Sequence, residues 1–113
     1  MGAKTEGYVV RITENADKDL DEIFYYISEV KFEPLNARRV IDKIRGIINE
    51  SIALYPRAFP ECKEIPTKTK IYRRAVCYRY LIVYKIKGNE IIILGIIYGG
   101  RHPKHIRKLR KIK

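Results

Sequence analysis

The spacing of apolar residues changes along this chain, and the changes mark its elements. From Tyr8 to Thr13 (YVVRIT) the pattern alternates. Tyr8, Val10 and Ile12 fall on one face and Val9, Arg11 and Thr13 on the other, as in a half-buried strand. From Ala16 the interval becomes three and four. Ala16, Leu20, Ile23, Phe24, Ile27 and Val30 make one apolar face of a helix ending near residues 29–31. Thr13 stands at the N-cap, with Glu14 and Asp17 in the first turn to complement its exposed N–H groups. Tyr25 and Tyr26 flank the face and are expected to pack with their hydroxyls at the water edge.

Pro34 suits the first turn of a second helix. Ala37, Val40, Ile41, Ile44, Ile47, Ile48, Ile52 and Leu54 carry its apolar stripe to about Leu54, where Tyr55-Pro56 ends it. Gly46 inside this helix costs about 1 kcal/mol relative to Ala, and close helix–helix approach is its expected reason. The link between the helices is short, so they should form an antiparallel hairpin.

Residues 57–70 (RAFPECKEIPTKTK) lose all periodicity. Pro60, Pro66 and three lysines read as a mobile basic loop beside a sheet. Strand patterning follows over Ile71–Cys77, Tyr80–Ile86 and Ile91–Tyr98, with a compact turn at Lys87-Gly88-Asn89. The near-continuous apolar run Ile91–Tyr98 implies burial on both faces. It should be an interior strand, with Tyr8–Thr13 beside it. Gly99-Gly100 breaks the last strand and Pro103 delays any helix, so residues 105–113 (HIRKLRKIK) form either a basic helical turn or a loose end. The expected fold is α+β: an N-terminal strand, an antiparallel two-helix hairpin and a three-stranded antiparallel meander, forming one sheet with the helices packed on one face. One domain spans residues 1–113, with flexible ends at 1–7 and 107–113.

Charge adds a direction to this picture. The formal net charge is +11 over 113 residues. Residues 1–56 hold 8 Lys/Arg against 10 Asp/Glu, whereas residues 57–113 hold 16 against 3. Without the last ten residues the asymmetry persists, with ten cations against three acids in residues 57–103. A basic half on a mildly acidic scaffold calls for an anionic partner, either nucleic acid or an acidic protein segment. No apolar run reaches the roughly 18 residues of a membrane helix, and the N-terminus lacks a hydrophobic signal core. No membrane association and a cytoplasmic location are therefore expected. Cys62 and Cys77 form no metal-spaced pair and read as reduced thiols.

Several local features recur in a fixed order. They are Ile12-Thr13 followed by Ala16, Asp19-Leu20, Ile23 and Tyr26-Ile27, then Tyr55-Pro56, then YLIVYKIKGNEIIILGIIYGGRHP. Over about residues 8–106 this order resembles the RelE/ParE superfamily of toxins from bacterial and archaeal toxin–antitoxin, or plasmid stabilization, systems. The resemblance implies a small growth-inhibiting toxin without cofactor or metal, neutralised by a cognate antitoxin through an acidic or amphipathic segment. It implies either a homodimer or a toxin–antitoxin hetero-oligomer. RelE-type members cleave mRNA in the ribosomal A site, without metal. ParE-type members poison DNA gyrase. A degenerate member would have neither activity and would be a basic nucleic-acid-binding module.

The nuclease route needs a base for the 2′-OH, a cation for the charged transition state and an acid for the leaving oxygen. By resemblance, Arg74 and Arg101 fall at basic catalytic positions. His102 and His105 are the acid–base candidates, since a histidine titrates near neutrality. Lys68, Lys70, Arg73, Arg79 and Arg107 are candidates for target or nucleic-acid binding. The bland alternative for Arg73, Arg74 and Arg79 is solvation of an exposed sheet face, and core packing explains Tyr80 and Tyr84. Two positions depart from the nuclease pattern: Leu81, where nucleases carry an arginine, and Arg107, which stands where they carry a tyrosine. Loss of one such cation can cost on the order of 3–4 kcal/mol. The balance therefore favours a ParE-like toxin that binds an essential target such as gyrase. The alternative is a RelE-like mRNA endonuclease.

Overall fold

A computed structural model describes residues 7–113. The remainder of the expected flexible N-terminus lies outside the described residues. Strand β1 (Val9–Ile12) leads into helix α1 (Glu14–Tyr25), which continues through a π-helical turn, Tyr26–Val30. Helix α2 (Pro34–Ile47) likewise continues through a π-helical turn, Ile48–Ile52. Strands β2 (Tyr72–Cys77), β3 (Tyr80–Lys87) and β4 (Glu90–Tyr98) follow, then a short helix α3 (Pro103–Arg107) and a 3-10 turn, Lys108–Lys111. Among the described residues no helix is long and apolar enough to cross a membrane.

The sheet order is β1-β4-β3-β2. The meander is antiparallel as expected, and β1 joins it parallel to β4, so the sheet is mixed. β4 is therefore interior, and Ile91 to Ile97 are all buried. The α1 N-terminus is locked to it. Thr13 Oγ1 accepts the Ala16 N–H at 3.1 Å and donates to the Ile93 carbonyl at 2.7 Å. The β3–β4 register shifts here: Val83 pairs with Gly95 but Tyr84 with Ile93, leaving Leu94 as a bulge. A bulge frees backbone polar groups, and α1 side chains take them up. Asn15 Nδ2 donates to the Leu94 carbonyl at 2.8 Å, and Asp19 Oδ2 accepts the Ile96 N–H at 2.9 Å.

The helix hairpin covers one sheet face, with Leu20, Ile44, Ile48 and Ile52 against Ile82, Tyr84, Ile91 and Ile93. The opposite face is also covered, as the expected burial of β4 on both faces requires, by segments to which the expected fold gave no such part. Cys62 and Ile65 from the 57–70 segment and Ile106 and Leu109 from the C-terminal turns pack on Leu81, Val83, Ile92 and Leu94. The 57–70 segment is thus anchored rather than mobile. Cys62 and Ile65 are buried, and Glu61 bridges Arg73 on the β2 edge. The expectation of a loose end at 107–113 is likewise corrected, because Leu109 is buried against the β4 glycine. A Cβ on Gly95 would lie 2.9 Å from Leu109 Cδ2. Gly46 does not serve close packing: a Cβ there would meet only Glu50 Oε2, at 3.9 Å. Cys62 and Cys77 belong to clusters on opposite sheet faces, so the sheet separates the two free thiols.

Candidate binding groove

Where the helix hairpin overhangs the end of the meander, an open groove of about 1230 Å³ forms. Its floor is apolar, built from Ile23, Ile27 and Val40 of the hairpin, Ile96 of β4, and Leu109. Its walls differ in charge. α1 contributes Asp19 and Glu22; the β2–β3 turn contributes Arg79, and the residues after β4 contribute Arg101 and Lys108, with His105 among them. The hairpin end adds Lys31, Glu33 and Arg39.

Each wall follows from local structure. Asp19 falls at apolar-stripe spacing, three residues after Ala16 and four before Ile23, so α1 turns it inward to the β4 bulge. Burial pushes its carboxyl pKa up, against the lowering effect of the Ile96 N–H. Tyr26, Tyr80 and Tyr98 line the groove, and the Tyr80 and Tyr98 rings meet edge-on at 6.3 Å. Burial, then the neighbouring Tyr26 and Tyr98, raise the Tyr80 pKa. Arg101 Nη2 lies 3.2 Å from His105 Nδ1. A guanidinium only donates, so His105 accepts at Nδ1. Desolvation and the surrounding Arg101, Lys108 and Lys104 charges lower the His105 pKa. His102 is engaged locally instead. Its Nδ1 accepts the Lys104 N–H at 3.1 Å and caps α3.

The structure brings together only some of the residues singled out in the sequence. Arg79, Arg101 and His105 line the groove. Arg73 instead straps the 57–70 segment. Its guanidinium donates to the carbonyls of Lys70 at 2.8 Å, Phe59 at 2.8 Å and Arg57 at 3.1 Å. Arg74 is held by Glu64 at 3.7 Å, its side chain 24% exposed, and lies outside the groove lining. Lys68 and Lys70 are exposed on the loop and Arg107 on α3. Leu81 is buried in the core of the second face. Tyr84 is fully buried, its hydroxyl donating to the Pro56 carbonyl at 2.5 Å. Sequence reasoning did not select Asp19, Glu22, Tyr26 or Lys108 as site residues. An acid at apolar-stripe spacing was the signal available for Asp19.

The groove thus combines an apolar base with acids from α1 and cations from the sheet end and the turns after it. Comparison with known proteins agrees with this architecture. The family model described as ParE toxin of type II toxin-antitoxin system, parDE, matches residues 10–103. No curated protein matches the chain. Among solved structures, one described as the chromosomal ParDE TA system from P. aeruginosa is similar in fold. Its TM-score is 0.65 at 20% identity, over 80% of this chain and 95% of that chain. The family match runs from β1 through all four strands and both long helices to the first residue of α3, so the chain belongs to the ParE toxin family of type II toxin–antitoxin systems.

Proposed function

We propose that this toxin acts by binding an essential protein target, with DNA gyrase as the first candidate, rather than by cutting RNA. The observation that carries this reading is the engagement of Arg74 by Glu64. The nuclease route needs a cation free to stabilise the phosphorane-like state. Here Arg74 is paired, and Leu81 occupies the core. Supercoiling and cleavage assays with purified gyrase and excess toxin test the reading. Inhibition or trapped double-strand breaks are expected, and unaffected gyrase removes it.

A cognate antitoxin neutralises the toxin, on this reading, by laying an amphipathic segment along the groove. The support is the match between such a segment and the groove: an apolar stripe for the floor, acids facing Arg79, Arg101 and Lys108, and bases facing Asp19 and Glu22. The second reading, a ribosome-dependent, metal-independent mRNA endonuclease, is favoured by the Arg101–His105 contact alone. Primer extension on translated mRNA separates the two, since only the nuclease gives A-site cuts.

A further inference from the structure

The turn between α1 and α2 carries an unusual residue. Beyond α1, the Lys31 N–H bonds the Tyr26 carbonyl at 3.0 Å and the Glu33 N–H bonds the Ile27 carbonyl at 2.9 Å. The second bond reaches back six positions, one more than the usual glycine-capped closure of an α-helix, as follows from the π-helical turn before it, and Phe32 sits inside it in the left-handed region with φ 57°. That position ordinarily belongs to glycine, because any Cβ strains the backbone there. Burial of the phenyl ring does not offset the strain: Phe32 is 84% exposed. Leu35, one turn away, is 84% exposed too, and Val30 lies half-exposed beside them. A strained backbone presenting an unburied aromatic is a functional signature when nothing within the chain uses the ring.

We propose that Phe32, supported by Leu35, is the knob by which this toxin docks into an apolar pocket of its folded protein target. The inference rests on the reading of the chain as a protein-binding toxin. Shape and charge select the occupant. The ring is convex and is not part of the groove lining, whereas its neighbours Lys31 and Glu33 are. A segment lying in the groove therefore leaves the ring uncovered, and only a concave partner surface encloses it. Lys31 and Glu33 flank the ring with opposite charges. The matching pocket is apolar inside, with an acidic group and a basic group across its mouth. Because Lys31 and Glu33 line the groove, an antitoxin filling it reaches the residues beside the knob and obstructs the target's approach.

The test uses the full chain, expressed under an inducible promoter in a bacterial host, with the thermal midpoint of each purified variant measured in parallel. Phe32→Gly removes the ring and relieves the backbone, so it should raise Tm by roughly 4 °C while growth inhibition needs about tenfold more inducer. Leu35→Ser should weaken growth inhibition in the same direction with Tm little changed. Full potency in Phe32→Gly overturns the inference and leaves the toxin reading intact. A lowered Tm in Phe32→Gly also overturns it, because the ring would then be stabilising the chain itself. A wild-type chain that does not slow growth removes both this inference and the toxin reading.

Discussion

The Asp19 carboxylate accepts the Ile96 N–H at 2.9 Å, tying the middle of α1 to β4 just past its bulge. Burial holds the Asp19 pKa above the usual carboxylate value of 3.8, with Glu22 adding to the rise. The folded chain therefore keeps this proton to higher pH than the unfolded chain does. Its contribution to stability is greatest below pH 3.8 and declines as pH rises through the raised pKa. Asp19→Asn retains an acceptor for Ile96 without the charge. It should gain on the wild type increasingly as pH rises above 3.8 through the raised pKa, with the difference vanishing in acid. Asp19→Ala leaves the N–H without a partner and should cost about 1–3 kcal/mol. Urea unfolding across pH reads both.

Gly95 and Leu109 should be energetically coupled. Gly95→Ala places a Cβ 2.9 Å from Leu109 Cδ2 and 3.1 Å from Asp19 Oδ2, so the Leu109 side chain must give way in its buried position, at a cost of about 1–3 kcal/mol. Leu109→Ala empties a buried position and should cost about 2–5 kcal/mol. The double variant is expected to cost less than the sum, because the second change makes room for the first. An additive double-mutant cycle contradicts the packing described.

Gly46→Ala should stabilise the chain by about 1 kcal/mol. The added methyl meets nothing nearer than Glu50 Oε2 at 3.9 Å, so the helix gains propensity without crowding. A loss of stability on thermal unfolding would show that α2 uses the glycine.

Arg73→Ala should behave as a structural lesion, since three carbonyls of the 57–70 segment lose their donor. A loss of roughly 2 kcal/mol is expected, together with faster proteolysis near the lysines of that segment. Arg79→Ala and Arg101→Ala, exposed at the groove, should leave unfolding unchanged and weaken only partner binding. Equal stability of all three variants would return Arg73 to the set of contact residues.

Much of the fold is legible in the sequence because period and position agree. Alternation in YVVRIT, the Ala16–Ile27 stripe and the unbroken Ile91–Ile97 run each have one structural solution. The 57–70 segment misleads because its two prolines and its lysines dominate the composition. Full burial there falls on Cys62 and Ile65, three positions apart, with Phe59 half-buried against Tyr84. The C-terminal turns hide in a basic run for a similar reason, although Ile106, Leu109 and Ile112 recur every third residue. In the groove, Arg79, Arg101 and His105 stand out through charge. The role of Arg73 is invisible in sequence, because its partners are carbonyls, which every residue carries. Asp19 is easily passed over, although an acid on an apolar stripe is a signal in itself.

The bond from Thr13 Oγ1 to the Ile93 carbonyl joins residues 80 positions apart. It has a consequence for the timing of synthesis. The Thr13 cap on Ala16 needs only α1, but the Thr13 hydroxyl has no Ile93 carbonyl to donate to until β4 exists, and the groove's acidic residues wait longer still for Arg101 and Lys108. A polypeptide interrupted anywhere before β4 carries half a groove and an open sheet. The groove therefore comes into being only once β4 and the turns that follow it have been made.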